Sequence, residues 1–282
     1  SYRQSGDGTD QKLGGLDGTL RYKPGTFVRA EVARSEGGGM GGISSIDGGF
    51  GFQQQSVGGN ANAQRLEGAV SLADLSESMK GNLSAYWQDR GNGFSAPGQL
   101  TLGGEATRQA GARADVPIGA NTDITAKADR RSAASQDVDV EEAAVRQQLN
   151  PQWAASLGVR AEDRGVADTA IIRSDILAEH GERTDAIARI DYQSAVNEKD
   201  RKALPTVLDS WNAYGFVQQT VTRSGDRSEN DRNGIGAGWQ ATDRIHVNGE
   251  VSEGDGGPGG KLGTDYRIDD RSNVYAQYLM ET

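Results

Sequence analysis

Tyr266-Arg-Ile-Asp-Asp-Arg-Ser-Asn-Val-Tyr-Ala-Gln-Tyr278 reads as two alternating stretches joined by a tight polar turn. Apolar and polar residues alternate into the turn and out of it, which is the period-two signature of a β-hairpin. The phrase recurs at Trp239-Gln-Ala-Thr-Asp-Arg-Ile-His-Val-Asn-Gly-Glu-Val251, at Leu149-Asn-Pro-Gln-Trp-Ala-Ala-Ser-Leu-Gly-Val159 and at Val116-Pro-Ile-Gly-Ala-Asn-Thr-Asp-Ile-Thr-Ala-Lys-Ala128. A chain made of one hairpin repeated end to end must manage its sheet edges, and closing into a barrel removes them. The expected fold is all-β: an antiparallel up-and-down transmembrane β-barrel of about 14 to 16 strands, an even number as in single-chain bacterial barrels. Residues 1–282 are expected to form one barrel domain.

Composition narrows the class. Only 35% of the 282 residues are hydrophobic and mean hydropathy is -0.65, low for a soluble core of this length. Pro is only 6 and the apolar residues are regularly spaced, so disorder does not explain the polarity. A barrel strand with one face to lipid and one to a wet interior is half polar by design. No run approaches the ~20 apolar residues of a membrane helix. A net charge of -10 argues against a nucleic-acid partner. The absence of cysteine excludes disulfides, thiolate metal sites and cysteine nucleophiles, and leaves the compartment open. No signal peptide is visible, so a mature chain or a fragment is expected.

About fifteen segments have the length of tilted membrane strands. They run from Leu20 to Tyr22 and Phe27 to Arg34 through to Leu262 to Ile268 and Asn273 to Met280, and include Ala170 to Glu179. Short turns alternate with long polar connections at Asp89 to Pro97, Arg130 to Gln136, Asp163 to Asp168, Ser224 to Asp231 and Gly254 to Gly260, the asymmetry of outer-membrane barrels. A short or missing strand is expected in Val196 to Ser210. Glycine, at 40 residues, concentrates partly in the segment 35–62, the expected plug or partner-binding loop.

The strands sort into two faces. Ile245, Val247, Gly249 and Val251 oppose His246, Asn248 and Glu250; Ala155, Leu157, Val159 and Ala161 oppose Ser156, Gly158, Arg160 and Glu162. The polar face carries both signs, and its expected lumen-lining residues are Arg29, Glu31, Lys127, Asp129, Arg160, Glu162, Arg189, Asp191, His246, Glu250, Asp265 and Arg267. Neighbouring strands are expected to pair these charges. Two readings stay open: a wet wall neutralised against itself, or rings that select among solutes. Trp87, Trp153, Trp211, Trp239, Tyr266, Tyr275 and Tyr278 sit near strand ends, where interfacial girdles would place them.

No constellation points to an enzyme, cofactor or metal. His180 and His246 lie on different strands without metal-ligand spacing. Gly234-Ile-Gly-Ala-Gly238 lacks the following helix of a phosphate loop and reads as strand. Gly256 to Asp265 lacks the tandem period of a calcium β-roll.

Tyr266 to Tyr275, Gln240 to Val251 and Val217-Gln-Gln-Thr-Val-Thr-Arg-Ser-Gly-Asp-Arg227 resemble the C-terminal β-barrel region of large, repeat-bearing outer-membrane proteins of Gram-negative bacteria. The resemblance covers most of the chain. It implies a barrel embedded in the outer membrane at the cell surface, with the lipid bilayer and lipopolysaccharide as surroundings, and it brings no catalytic residues. The chain departs from it at Leu279-Met-Glu-Thr282, where a terminal aromatic would stand; further strands or another insertion signal are expected. The functional expectation is a passive pore or the membrane anchor of a larger surface assembly with a protein partner. The alternative is an extracellular structural or adhesive β-rich protein, soluble or filamentous.

Overall fold

A computed structural model describes residues 2–4, 11–44, 53–94, 105–168, 175–194, 211–269 and 272–281. The strands are β1 (Tyr2–Gln4), β2 (Gln11–Lys23), β3 (Thr26–Glu36), β4 (Gly38–Ser44), β5 (Gln53–Gly58), β6 (Ala61–Ser71), β7 (Asn82–Arg90), β8 (Thr107–Ile118) and β9 (Thr122–Ala133). They continue as β10 (Val138–Gln148), β11 (Trp153–Arg164), β12 (Gly181–Gln193), β13 (Trp211–Arg223), β14 (Arg232–Gln240), β15 (Ile245–Gly254), β16 (Gly259–Arg267) and β17 (Asn273–Glu281). Two single helical turns, α1 (Leu72–Leu75) and α2 (Asp175–Ala178), are the helix among the described residues.

Fifteen strands form one sheet in the order β1-β2-β3-β6-β7-β8-β9-β10-β11-β12-β13-β14-β15-β16-β17, while β4 and β5 pair as a separate two-stranded sheet. β1 has three residues; the other fourteen have nine to thirteen. Strands adjacent in that sheet are adjacent in sequence, save for the β4–β5 hairpin inserted between β3 and β6, so the topology is all-β, antiparallel and up-and-down, as expected. The backbone divides into two compact units. One holds Ser1–Asp115, Lys127–Glu141 and Asp163–His180; the other holds Val116–Ala126, Glu142–Glu162 and Gly181–Thr282.

The repeated phrase folds the same way at two of its copies. In the turn between β10 and β11, the Asn150 side-chain oxygen accepts from the amides of Gln152 (2.9 Å) and Trp153 (3.0 Å). In the turn between β14 and β15, the Thr242 hydroxyl accepts from the amides of Arg244 (3.2 Å) and Ile245 (3.0 Å). A glutamine two residues earlier closes each turn: Gln148 donates to the carbonyls of Asn150 and Trp153, Gln240 to those of Thr242 and Ile245. Asn and Thr favour such turns because their side chains satisfy amides that the ladder leaves open.

Packing is inverted relative to a soluble protein. Among the described residues the buried hydrophobic side chains are Phe94 and Ala154, while Thr107, Gln136, Glu162, Glu179, Asp185 and Arg227 are buried. Large apolar side chains are exposed instead: Leu16 75%, Leu20 79%, Leu157 62%, Ile235 65% and Val251 60%. Residues opposite one another in register share a face, so Ile235 joins Val251 on the apolar side and Gly236 joins Glu250 on the polar side.

Several expectations are corrected. β2 begins at Gln11, not Leu20, because β3 pairs with it residue by residue from Lys12 opposite Glu36 and so carries the glycines of that stretch within the ladder. The described part of Ala170 to Glu179 is the helical turn α2 rather than a strand; the Glu179 carbonyl accepts from the Gln136 side chain (2.9 Å), and β12 starts at Gly181. The described part of the glycine-rich segment 35–62 includes the β4–β5 hairpin rather than only loop. The connections expected at Arg130 to Gln136 and Gly254 to Gly260 shrink to 134–137 and 255–258, because Arg130 and Arg131 stay in β9, paired with Asp139 (3.4 Å) and Glu105 (2.9 Å). The poorly fitting Val196 to Ser210 stretch, and the strand expected there, lie outside the described residues.

Gly234-Ile-Gly-Ala-Gly238 is strand, as read from the sequence, and its glycines have a packing reason. Gly234 lies opposite Phe216 and Gly236 opposite Tyr214. A Cβ on Gly234 would stand 2.7 Å from the Phe216 ring, and one on Gly236 would collide with the Tyr214 ring. Gly236→Val should therefore lower stability by about 1–3 kcal/mol through overpacking. Adding Tyr214→Ala should recover part of the loss, read from unfolding midpoints of the folded protein in detergent.

Candidate functional site: the polar face of the sheet

The polar face is built from Arg-x-acid pairs. Residues i and i+2 of a strand point to one side about 7 Å apart, within reach of an arginine. Such pairs form on it at Arg65–Glu67 (2.6 Å), Arg113–Asp115 (2.7 Å), Arg160–Glu162 (2.8 Å), Arg183–Asp185 (3.0 Å) and Arg189–Asp191 (2.7 Å), while Arg34–Glu36 (3.1 Å) has the same spacing on the face of Val28 and Val32. The sequence reading expected pairing between strands; pairing within a strand is at least as frequent, because the spacing already brings the partners together.

In the first unit, Arg29 reaches Glu67 at 3.8 Å and Glu31 stands opposite Arg65 in register. Asp129 is an acceptor hub. It accepts from the Tyr86 hydroxyl and from the Gln109 side-chain amide (2.8 Å), and that amide also donates to the Tyr86 oxygen (2.7 Å). Gln88 donates to Gln109 (2.9 Å), and Lys127 shares the face of Asp129 two residues earlier on β9. Gly111 leaves the room this cluster needs: a Cβ there would lie 2.6 Å from the Tyr86 ring and 2.7 Å from the Asp129 carboxylate.

In the second unit, Arg160 forks between Glu142 (2.6 Å) and Glu162 (2.8 Å), and Glu162 also meets Arg227 at 3.3 Å. Asp191 accepts from Arg189 (2.7 Å) and Arg146 (2.8 Å). The Arg189 guanidinium lies 3.8 Å from the centroid of the Tyr214 ring, a cation–π contact, and the Tyr214 hydroxyl donates to Glu250. Glu250 faces Lys261 in register. His246 faces Asp265 at 3.7 Å, and Arg267 donates to the Asp243 carbonyl (2.9 Å). These last residues rim a polar hollow of about 460 Å³ beside the β14–β15 turn. The candidate residues thus lie on the polar face as separate mixed-charge clusters, four in the first unit and eight in the second.

Tyr86, Gln109, Tyr214 and Arg227 were missed by the sequence reading. Tyr86 and Tyr214 carry a usable signal, since Tyr86 alternates with Ser84 and Gln88, and Tyr214 with Asn212 and Gln218. Arg227 carries none, because it stands in a connection without period.

The apolar face carries an aromatic row at one end of its strands. Trp153 packs on Tyr192 with centroids 4.9 Å apart, Tyr192 on Trp211 at 4.8 Å, and Trp211 stands opposite Trp239 in register. Tyr275 does not belong to such a girdle: it lies opposite Asp265, on the polar face.

No family model matches the chain, and no curated protein does. Among solved structures, the chain is similar to a KdgM porin at a TM-score of 0.38 and 11% identity, over 74% of this chain and 94% of that one. It is similar to the same porin in complex with disordered oligogalacturonate at a TM-score of 0.37 and 11% identity, over 74% of this chain and 94% of that one. A mutant of the Rh. blastica porin matches at a TM-score of 0.38 and 12% identity, over 96% of this chain and 91% of that one. Scores this low leave the reading of the chain to its own geometry.

Asp129→Ala should leave the buried side of Tyr86 and Gln109 without their acceptor and cost about 1–3 kcal/mol. In a double-mutant cycle with Tyr86→Phe, the two losses should be clearly less than additive in the midpoint of unfolding.

Proposed function

We propose that this chain is a β-barrel of the Gram-negative outer membrane, exposed at the cell surface and acting as a passive pore. One observation carries the reading: large apolar side chains of the sheet are exposed, while most of its buried side chains are polar or charged. Water cannot stabilise such a surface, whereas a hydrocarbon surround does. The aromatic row at one end of the apolar face suits a membrane interface. Closure into a barrel removes the two open edges of an up-and-down sheet, and about 14 to 16 strands approach the size that leaves an aqueous channel. The mixed-charge clusters, including all twelve candidate residues from Arg29 to Arg267, then line the lumen as a self-neutralised wet wall. Passive passage needs neither cofactor nor catalytic residue, and no enzymatic role is proposed. Its surroundings are the bilayer and lipopolysaccharide, with no nucleic-acid partner. The resemblance to the barrel region of repeat-bearing outer-membrane proteins fits the same setting.

A second reading, a membrane anchor of a surface assembly, is favoured by the β4–β5 hairpin, which pairs outside the fifteen-stranded sheet and is a ready partner-binding element.

The purified protein should require detergent, migrate differently on an unheated gel than after boiling, and give steady open current in a planar bilayer. A monomer soluble without detergent would instead mark an extracellular structural protein. Absence of current from folded protein would leave the anchor. Leu157→Arg, in the middle of the apolar face of β11, should cost about 2–4 kcal/mol in lipid, the penalty of an arginine near the bilayer midplane. A cost near zero would place Leu157 in water.

A further inference from the structure

The connection between β13 and β14 is not laid out as a simple hairpin loop. It spans Ser224–Asp231, eight residues between Arg223 and Arg232. Joining two neighbouring strands requires a span of about 5 Å. The first part of this loop instead leans over β12 and as far as β11, about 10 Å from β13, while Asp231 at its end stays tied to Asp255 in the β15–β16 connection (2.7 Å). The Ser224 amide donates to the Glu182 carbonyl on β12 (2.9 Å), and Arg183 donates to the Ser228 carbonyl (3.3 Å). Asn230 donates to the Asp185 carboxylate (3.3 Å). Arg227 extends furthest, to Glu162 near the end of β11, with both terminal guanidinium nitrogens within 3.4 Å of one carboxylate oxygen. The Arg227 side chain is 0% exposed and that of Glu162 4%.

A buried ion pair is a weak source of stability, because desolvation offsets most of the attraction, but it fixes position strongly once formed. Here it fixes a loop across the polar face of two strands that the loop does not join. From the end of β13, Arg223 donates to the Arg227 carbonyl (2.9 Å) and holds the loop in the shape that aims Arg227 at Glu162.

We infer that the Ser224–Asp231 loop is the constriction element of the pore, held across the lumen wall by a latch between Arg227 and Glu162. The inference rests on the pore reading and deepens it: it assigns the size limit for solutes to this loop rather than to the glycine-rich segment 35–62. Removing the latch frees the loop to swing off the wall, and shortening the loop removes the obstruction outright.

The test compares three proteins in planar bilayers with potassium chloride: the wild type, Arg227→Met, and a variant in which Gly225 to Ser228 is replaced by Asn-Gly. Mobility on an unheated gel checks that each is folded, and the shortened loop keeps the test open if Arg227→Met does not fold. Expected is a rise in single-channel conductance of about twofold for the shortened loop, with larger current fluctuation for Arg227→Met, as when a hydrated constriction widens. Conductance from a wild type that is otherwise closed, gained in either variant, supports the latch equally. Variants with wild-type conductance and noise overturn the inference while the pore reading stands. Folded protein that never conducts in any of the three overturns both.

Discussion

A strand must hydrogen-bond its backbone to its neighbours and send successive side chains to opposite sides, and here the two sides are given opposite polarity with the apolar one outward. The remaining architecture depends on that assignment. Once Leu157, Ile235 and Val251 face outward, Arg160, Gly236 and Glu250 face the other way by parity alone. Charges placed together on one face must then neutralise one another. The Arg-x-acid spacing does this within single strands, Arg160 with Glu142 ties β11 to β10, and Arg146 with Asp191 reaches from β10 past β11 to β12.

The glycines follow from the same constraint. A polar face carrying Tyr86, Tyr214 and Phe216 needs space beside each ring, and the neighbouring strand supplies it by omitting a side chain at Gly111, Gly236 and Gly234. Glycine weakens a strand in isolation, yet next to a ring it permits the backbone and aromatic face to approach. The low apolar content of the chain is thus not a failure to build a core. The polar clusters occupy the place of the core, and each buried polar group in them must find a partner because an unpaired one is costly.

Much of this was legible in the residues. The hairpin phrase located the turns at Asn150 and Thr242, and alternation sorted His246 from Val247 and Arg160 from Leu157. Both rest on local physics: a side-chain oxygen that satisfies nearby amides, and the two-residue period. Legibility failed where local rules are silent. The stretch from Gln11 to Thr19 reads as a poor strand by its glycines, and only its pairing with β3 makes it one. Arg130 and Arg131 read as loop residues until Asp139 and Glu105 supply their partners. Tyr275 reads as an interfacial aromatic until its register opposite Asp265 assigns it to the polar face.

The sequence by itself determined an all-β, up-and-down chain with one charged face, because period and turn chemistry act between residues a few positions apart. Only the tertiary structure decided which charges meet, where the rings of Tyr86 and Tyr214 lie, and that the loop carrying Arg227 crosses two strands to reach Glu162. That contact joins residues 65 positions apart. No local pattern encodes it, since its partners are brought together by the strand order and by the exclusion of water around a buried charge.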